Sequence, residues 1–184
     1  MGTSYDGALY AKYRNDCTLF VETGTYMGDG VQGALNAGFD HVVSIELAKC
    51  QYDECVERFK NNDKVKLYLG DSRKILTSVL DENIKNHKNI FFWIDAHCSG
   101  GNTAGQGISD TILVELDIIT QYVLKNDLTA VLAMDDLNEN LIKDINVFFA
   151  KLPAINLGKE ICINPYNNTI CEGASIIILH LNKK

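Results

Sequence analysis

The chain has 184 residues, 46% hydrophobic and 22% charged, which suits one globular domain with a sizeable core. Seventeen Lys and Arg against 24 Asp and Glu leave a formal charge of −7, and no basic run interleaves with aromatic residues, so a nucleic-acid groove is not expected. No apolar stretch approaches the roughly 20 residues of a membrane span, and the polar N-terminus lacks a signal-peptide core, so the sequence predicts a cytoplasmic protein. Its six cysteines (Cys17, Cys50, Cys55, Cys98, Cys162 and Cys171) form no CxxC pair and are expected as reduced thiols. The Asn167-Asn-Thr169 sequon carries no weight without a secretory signal.

In chain order, residues 1–16 carry Tyr5, Tyr10 and Tyr13, which are expected either to form a flap over a ligand cleft or to pack the helix that carries them. A first strand over Thr18 to Val21 runs into Glu22 and then into the turn Thr23-Gly-Thr-Tyr-Met-Gly-Asp-Gly30. Glycines there permit positive φ and close backbone approach, and the run from Val31 to Ala37 can start a helix whose amides point at a ligand. Gly28-Asp-Gly30-Val-Gln-Gly33 also fits a dinucleotide fingerprint, with Glu46 at about the distance of a ribose-binding acid. In that fold, however, the first glycine follows the strand almost directly and pyrophosphate sits on the helix N-terminus. An acid at position 22 would repel pyrophosphate and attract a cation, which favours S-adenosylmethionine (SAM) with its ammonium and sulfonium over NAD.

Further β-rich runs are predicted at His41 to Leu47, Val65 to Leu69, Ile90 to Ile94 and Ala130 to Met134, separated by segments of helical spacing. Tyr52 to Asn61 presents Cys55, Val56 and Phe59 on one face, and Ser109 to Leu124 presents Ile112, Leu116, Ile119 and Val123, with Ser109 as its predicted N-cap. Such alternation means parallel strands with crossover helices. After a helix near Glu139 to Lys151, Glu160 to Asn164 and Ser175 to Leu181 are predicted as an antiparallel hairpin on the sheet edge, joined through Pro165-Tyr-Asn-Asn.

Ligands in open α/β sheets bind at the carboxyl ends of the strands, and the polar residues there are mostly acids: Glu22, Glu46, Asp71, Asp95, and Asp135 with Asp136. Adjacent parallel strands lie roughly 4.8 Å apart, so if the fourth and fifth strands are neighbours, Asp95, Asp135 and Asp136 converge on one point. Three carboxylates there need a counter-charge, and Mg²⁺ or another divalent cation is suited by its preference for oxygen ligands. Asp136 could instead cap the helix after Leu137, and Asp71 could cap the helix that begins at Ser72.

Five βα units followed by a terminal β-hairpin resemble the class I SAM-dependent methyltransferase fold. The resemblance covers residues 17 to 182 and implies one domain with a Rossmann-like, seven-stranded, mostly parallel sheet of order 3-2-1-4-5-7-6. It places Glu22 and Gly24 at the methionine end of SAM, Glu46 on the ribose hydroxyls, and Asp71 and Ser72 at the adenine. Thr25, Tyr26 and Gly28, in the same glycine turn, and Asp95 complete the implied cofactor contacts. Ile94-Asp-Ala-His97 and Met134-Asp-Asp-Leu137 are similar to metal-dependent O-methyltransferases of the macrocin type, where an Asp ends the fourth strand and an Asp pair the fifth; the catechol type has Asp-Asn at that pair.

His97, two residues past Asp95, turns to the same side of the pocket if strand geometry continues, and an imidazole of pKa near ~6.5 suits a general base. The alternative is a histidine satisfied by loop backbone, in which case Asp95 is the next candidate base. Residues 98–108, with four glycines among Cys98 to Gly107, are read as an active-site loop or a solvated connector. The expected function is methyl transfer from SAM to a hydroxyl of a small molecule or sugar, with a phenol or catechol second. A non-catalytic SAM- or nucleoside-binding protein and an NAD-dependent oxidoreductase are the competing readings. No membrane partner is expected, and homodimerisation stays open.

Overall fold

A computed structural model describes residues 7–95, 108–137, 139–152, 155–162 and 175–183, with backbone alone for residues 108–110, 135, 136, 155–162, 175–179, 182 and 183. The element order is α1 (Ala8–Tyr13), β1 (Leu19–Thr23), α2 (Asp29–Asn36), β2 (His41–Glu46), α3 (Lys49–Phe59), β3 (Val65–Leu69), α4 (Ser72–Asn83), β4 (Asn89–Ile94), α5 (Ile108–Asn126), β5 (Thr129–Leu137), α6 (Glu139–Ala150), β6 (Ile155–Cys162) and β7 (Ser175–Lys183). One seven-stranded sheet runs β3-β2-β1-β4-β5-β7-β6, the expected order. β1 to β5 are parallel, and β7 is antiparallel to both neighbours.

Strand alternation divides the core between the two sheet faces. Leu19, Val21, Val43, Ile45, Ile90, Phe92 and Ile94 pack with α4, α5 and α6 on one face. Phe20, Val42, Phe91 and Trp93 pack with α1, α2 and α3 on the other. Tyr10 and Tyr13 belong to this second face and are buried; Tyr10 meets Phe20, Phe91 and Trp93 at ring-centroid distances of 5.0, 5.7 and 5.1 Å. Of the two readings of the N-terminal tyrosines, the structure gives these two the packing role, while Tyr5 lies outside the described residues.

Element bounds depart from the sequence reading in instructive places. β1 continues past Glu22 to Thr23, because Thr23 is enclosed by α5 and its carbonyl accepts the Asp95 amide at 3.1 Å. Ser109 lies inside α5 and is not its N-cap. β6 begins at Ile155, five residues before its predicted start, because cross-strand pairing with β7 extends from Ile155 opposite Lys183 to Cys162 opposite Ile176. Cys17, Cys50 and Cys55 are free thiols. No helix among the described residues is long and apolar enough to cross a membrane.

Candidate functional site

The strand order reverses direction at β1 and β4, which places the topological switch point of the sheet beside Thr23 and Asp95. Two stitches hold the backbone there: Gly24 N–H donates to the Ile45 carbonyl at 2.9 Å, and Gly70 N–H donates to the Glu46 carbonyl at 2.8 Å. After Gly24, the chain turns through Thr25 to Gly28, closed by Gly28 N–H on the Thr25 carbonyl at 2.8 Å. Tyr26 takes the left-handed conformation at φ 48° and is 64% exposed, a strain that survives only because its surroundings fix it.

Those surroundings are Glu46 and α3. Glu46, 8% exposed, accepts Tyr26 N–H on Oε2 and Ala48 N–H on Oε1, both at 2.8 Å, so one carboxyl group joins the glycine turn to the end of β2. From α3, the Cys55 thiol donates to the Tyr26 carbonyl at 3.2 Å, and Arg58 donates to the Met27 carbonyl and to Asp29 at 2.5 and 2.9 Å. Gly28, at φ 81°, caps α2, and Phe59 fills the space beneath it: a Cβ there would stand 2.7 Å from the ring.

Glu22 lies under this turn, 2% exposed. Ser44 donates to its Oε2 at 2.5 Å, and since a serine has one hydroxyl proton, Thr25 is the donor in the 2.6 Å contact with Ser44. Oε1 occupies the place where a side chain on residue 30 would begin; a Cβ on Gly30 would be 1.9 Å away. Burial drives the Glu22 carboxyl from 4.5 to about 8, opposed by the Ser44 bond and reinforced by Asp95, Glu46 and Asp29. The sequence reading expected a charged carboxylate drawing a cation in a partly dry cleft; enclosed as it is, Glu22 holds its proton at neutral pH.

Asp71 N-caps α4 by accepting Arg73 N–H at 3.1 Å, and its two oxygens also hold the Arg73 guanidinium at 2.9 and 2.8 Å. The Arg73 bonds hold its pKa below the ordinary carboxylate value against some desolvation. Ser72 is buried beside it. The cap is one of the two roles the sequence left open for Asp71, and the structure shows it.

In the parallel pairing of β4 with β5, Ile94 stands opposite Met134, so Asp95 and Asp135 are the next residues along on adjacent strands. The pairing of β5 with β7 shifts register between Met134 and Leu137, across Asp135 and Asp136. Among the described residues, no group of three or more His, Cys, Asp and Glu is arranged to hold a metal ion. The predicted trio is not covered by that statement, because the Asp135 and Asp136 side chains are not described. His97 and the loop through Gly107 also lie outside the described residues.

Residues the sequence reading missed complete the picture. Ser44, Thr23 and the backbone of Ala48 are ordinary in sequence and gain importance from the register of β1 with β2. Glu115 left a signal: it lies three residues from Ile112 on an otherwise apolar stripe of α5.

Comparison with solved structures agrees with this fold. A Streptococcus mutans protein described as a candidate methyltransferase, solved in complex with SAH, matches at a TM-score of 0.65 with 12% identity over 94% of this chain and 96% of that one. The chain has the class I methyltransferase fold. A candidate caffeoyl-CoA O-methyltransferase from Staphylococcus aureus matches at 0.59 with 18% identity, covering 97% and 82% of the two chains. An rRNA methylase from Streptococcus thermophilus matches at 0.56 with 13% identity, covering 96% and 93%. No family model and no curated protein matches the sequence.

Proposed function

We propose that this chain is a SAM-dependent methyltransferase acting on a hydroxyl of a small molecule or sugar. The observation that carries the reading is Glu46. Its carboxyl group is fixed by the amides of Tyr26 and Ala48 at the switch point, and each oxygen has a further lone pair with which to receive a ribose diol. Asp29, in the first turn of α2, is a poor neighbour for a pyrophosphate. These features favour SAM over a dinucleotide. The net charge of −7 favours a small acceptor over RNA.

In this reading, Glu22, Gly24, Thr25, Tyr26 and Gly28 form the floor and wall of the methionine end, Glu46 takes the ribose, and Asp71 with Ser72 borders the adenine. SAM, when bound, supplies the transferable methyl. The chain orients the acceptor oxygen toward it, and alignment of this kind accounts for much of the rate in bimolecular transfers. His97, two residues beyond Asp95, takes the hydroxyl proton. Asp95, Asp135 and Asp136 offer an all-oxygen donor set that suits Mg²⁺, and the pairing of Ile94 with Met134 supports their convergence.

Isothermal titration with SAM, SAH and NAD tests the cofactor, and incubation with labelled SAM and a panel of sugar and phenolic hydroxyl acceptors tests turnover. Affinity for NAD alone would overturn the reading, and SAM affinity without transfer to any acceptor would favour a non-catalytic binder.

A further inference from the structure

The proposed chemistry uses only the carboxyl ends of the strands. At the opposite end of the sheet, where the chain leaves α4 for β4 and α5 for β5, lies a cavity of about 290 Å³. Lys85, His87 and Lys88 line it together with Asn86 and the apolar Ile84 and Leu128. β4 and β5 run parallel, so the cavity stands a full strand, roughly 20 Å, from the cleft beside Thr23 and Asp95. Three basic residues and no acid among its described lining residues run against the formal charge of −7. Lys49, Lys60, Lys66 and Lys74 each form an ion pair, whereas neither Lys85 nor Lys88 has one among the described residues. The end of α4 does not call for them, because backbone amides already close its last turn: Ile84 N–H donates to the Leu80 carbonyl at 3.0 Å and His87 N–H to the Ile84 carbonyl at 2.8 Å. The histidine is held in place. Its Nδ1 meets Thr18 Oγ1 at 2.7 Å and its ring stands against His41 at a centroid distance of 5.0 Å, which leaves Nε2 as the free ring nitrogen.

We propose that this cavity binds a phosphoryl group, free or carried by a small metabolite, through Lys85, Lys88 and His87. A phosphoryl group at neutral pH carries close to two negative charges and strong acceptor oxygens, which two ammonium groups and one imidazole N–H answer in sign and number. When Thr18 donates to Nδ1, Nε2 carries the ring proton and donates to the anion; a protonated ring donates from both nitrogens. The volume is near the lower end of small-molecule sites and holds the group with a short organic body, whose carbon atoms rest on Ile84 and Leu128. Burial and then His41 hold the His87 pKa below its ordinary value, with Asp40 opposing, and Lys85 and Lys88 are the charged groups that share its cavity. A bound anion acts against this depression. The site is independent of the methyltransferase reading.

The test is calorimetry and NMR on the full chain at constant ionic strength, with inorganic phosphate, ribose 5-phosphate and sulfate as probes. The wild type should take up one equivalent of phosphate or of ribose 5-phosphate. Tighter binding of the sugar phosphate marks a metabolite site and tighter binding of phosphate a free-anion site, and both uphold the proposal. Replacing both lysines, Lys85→Ala with Lys88→Ala, should weaken either probe by about tenfold or more, the loss of a charge-assisted bond, while Lys143→Ala on α6, outside the cavity, should leave affinity unchanged. Sulfate stays a dianion between about pH 6 and 8, so its affinity should rise as His87 gains a proton on acidification, and His87→Gln should remove that rise. Binding of both phosphates weaker than about 10 mM overturns the proposal, as does an equal loss in the Lys143→Ala protein, which would mark diffuse charge. Identical pH dependence of sulfate binding in wild type and His87→Gln overturns it too, as does capture of single-stranded RNA through these lysines with no response to either phosphate. Should the double variant fail to fold, the wild type decides: the His87 ring signals and the amide signals of Lys85 to Lys88 should move on adding either phosphate, and stationary signals overturn the proposal.

Discussion

Glu22→Gln isolates the cost of enclosing an acid under the glycine turn. In the folded chain, burial raises this carboxyl from 4.5 to about 8. Below 4.5 both the folded and unfolded chains hold the proton, and the residue's contribution to stability is intact. As pH rises, the unfolded chain releases its proton first, so stability falls by about 1.36 kcal/mol per pH unit until the folded group titrates at about 8. Between 4.5 and roughly pH 7 this amounts to about 3 kcal/mol, a large share of the roughly 5–15 kcal/mol that holds a domain folded. The amide has no such titration, keeps an oxygen for Ser44 and has nearly the volume of the acid. The variant should match wild type near pH 5 and exceed it by about 3 kcal/mol near pH 7. Urea unfolding at several pH values between about 5 and 8, read as midpoint and slope, measures the difference. Wild-type and variant midpoints that stay parallel over this range would refute the assignment of a buried, neutral Glu22. Retention of an acid against this cost is expected where function requires it.

Gly30→Ala would place a Cβ 1.9 Å from Glu22 Oε1 and should cost about 1–3 kcal/mol, read as a drop in Tm; unaltered Tm would show that the carboxyl moves freely. Glu46→Ala leaves the Tyr26 and Ala48 amides unpaired and should weaken SAM binding by about ten- to a hundredfold in titration calorimetry; unchanged affinity in a folded variant would remove Glu46 from the site. Asp135→Asn should damage methyl transfer far more than SAM affinity, and verified metal removal should stop turnover; full activity after chelation would leave these acids needing another role. His97→Ala should lower kcat by roughly 10² to 10⁴ with SAM affinity intact, and should erase or move the acidic limb of the pH profile; identical limbs would exclude His97 as base.

Much of the architecture was written locally. Apolar, β-rich runs separated by helical spacing dictate parallel strands with crossover helices, and the absence of helical spacing after α6 dictates the terminal antiparallel pair; both signals belong to contiguous residues. The acids at strand ends were legible for the same reason, because each apolar run stops at a charged residue of its own segment. Their partners were not. Ser44 reaches Glu22, and Tyr26 reaches Glu46, only because β1 pairs with β2 in the register Glu22 opposite Ser44. The charge state of Glu22 followed from enclosure by α1, α2 and the turn. The sequence by itself determined the order of elements and which residues bear charge at the carboxyl ends. Tertiary structure alone decided which acids are enclosed, which oxygens are occupied, and that Glu115, remote in sequence from the glycine turn, accepts the Thr23 hydroxyl, because desolvation and hydrogen-bond pairing depend on what several distant segments bring to one point.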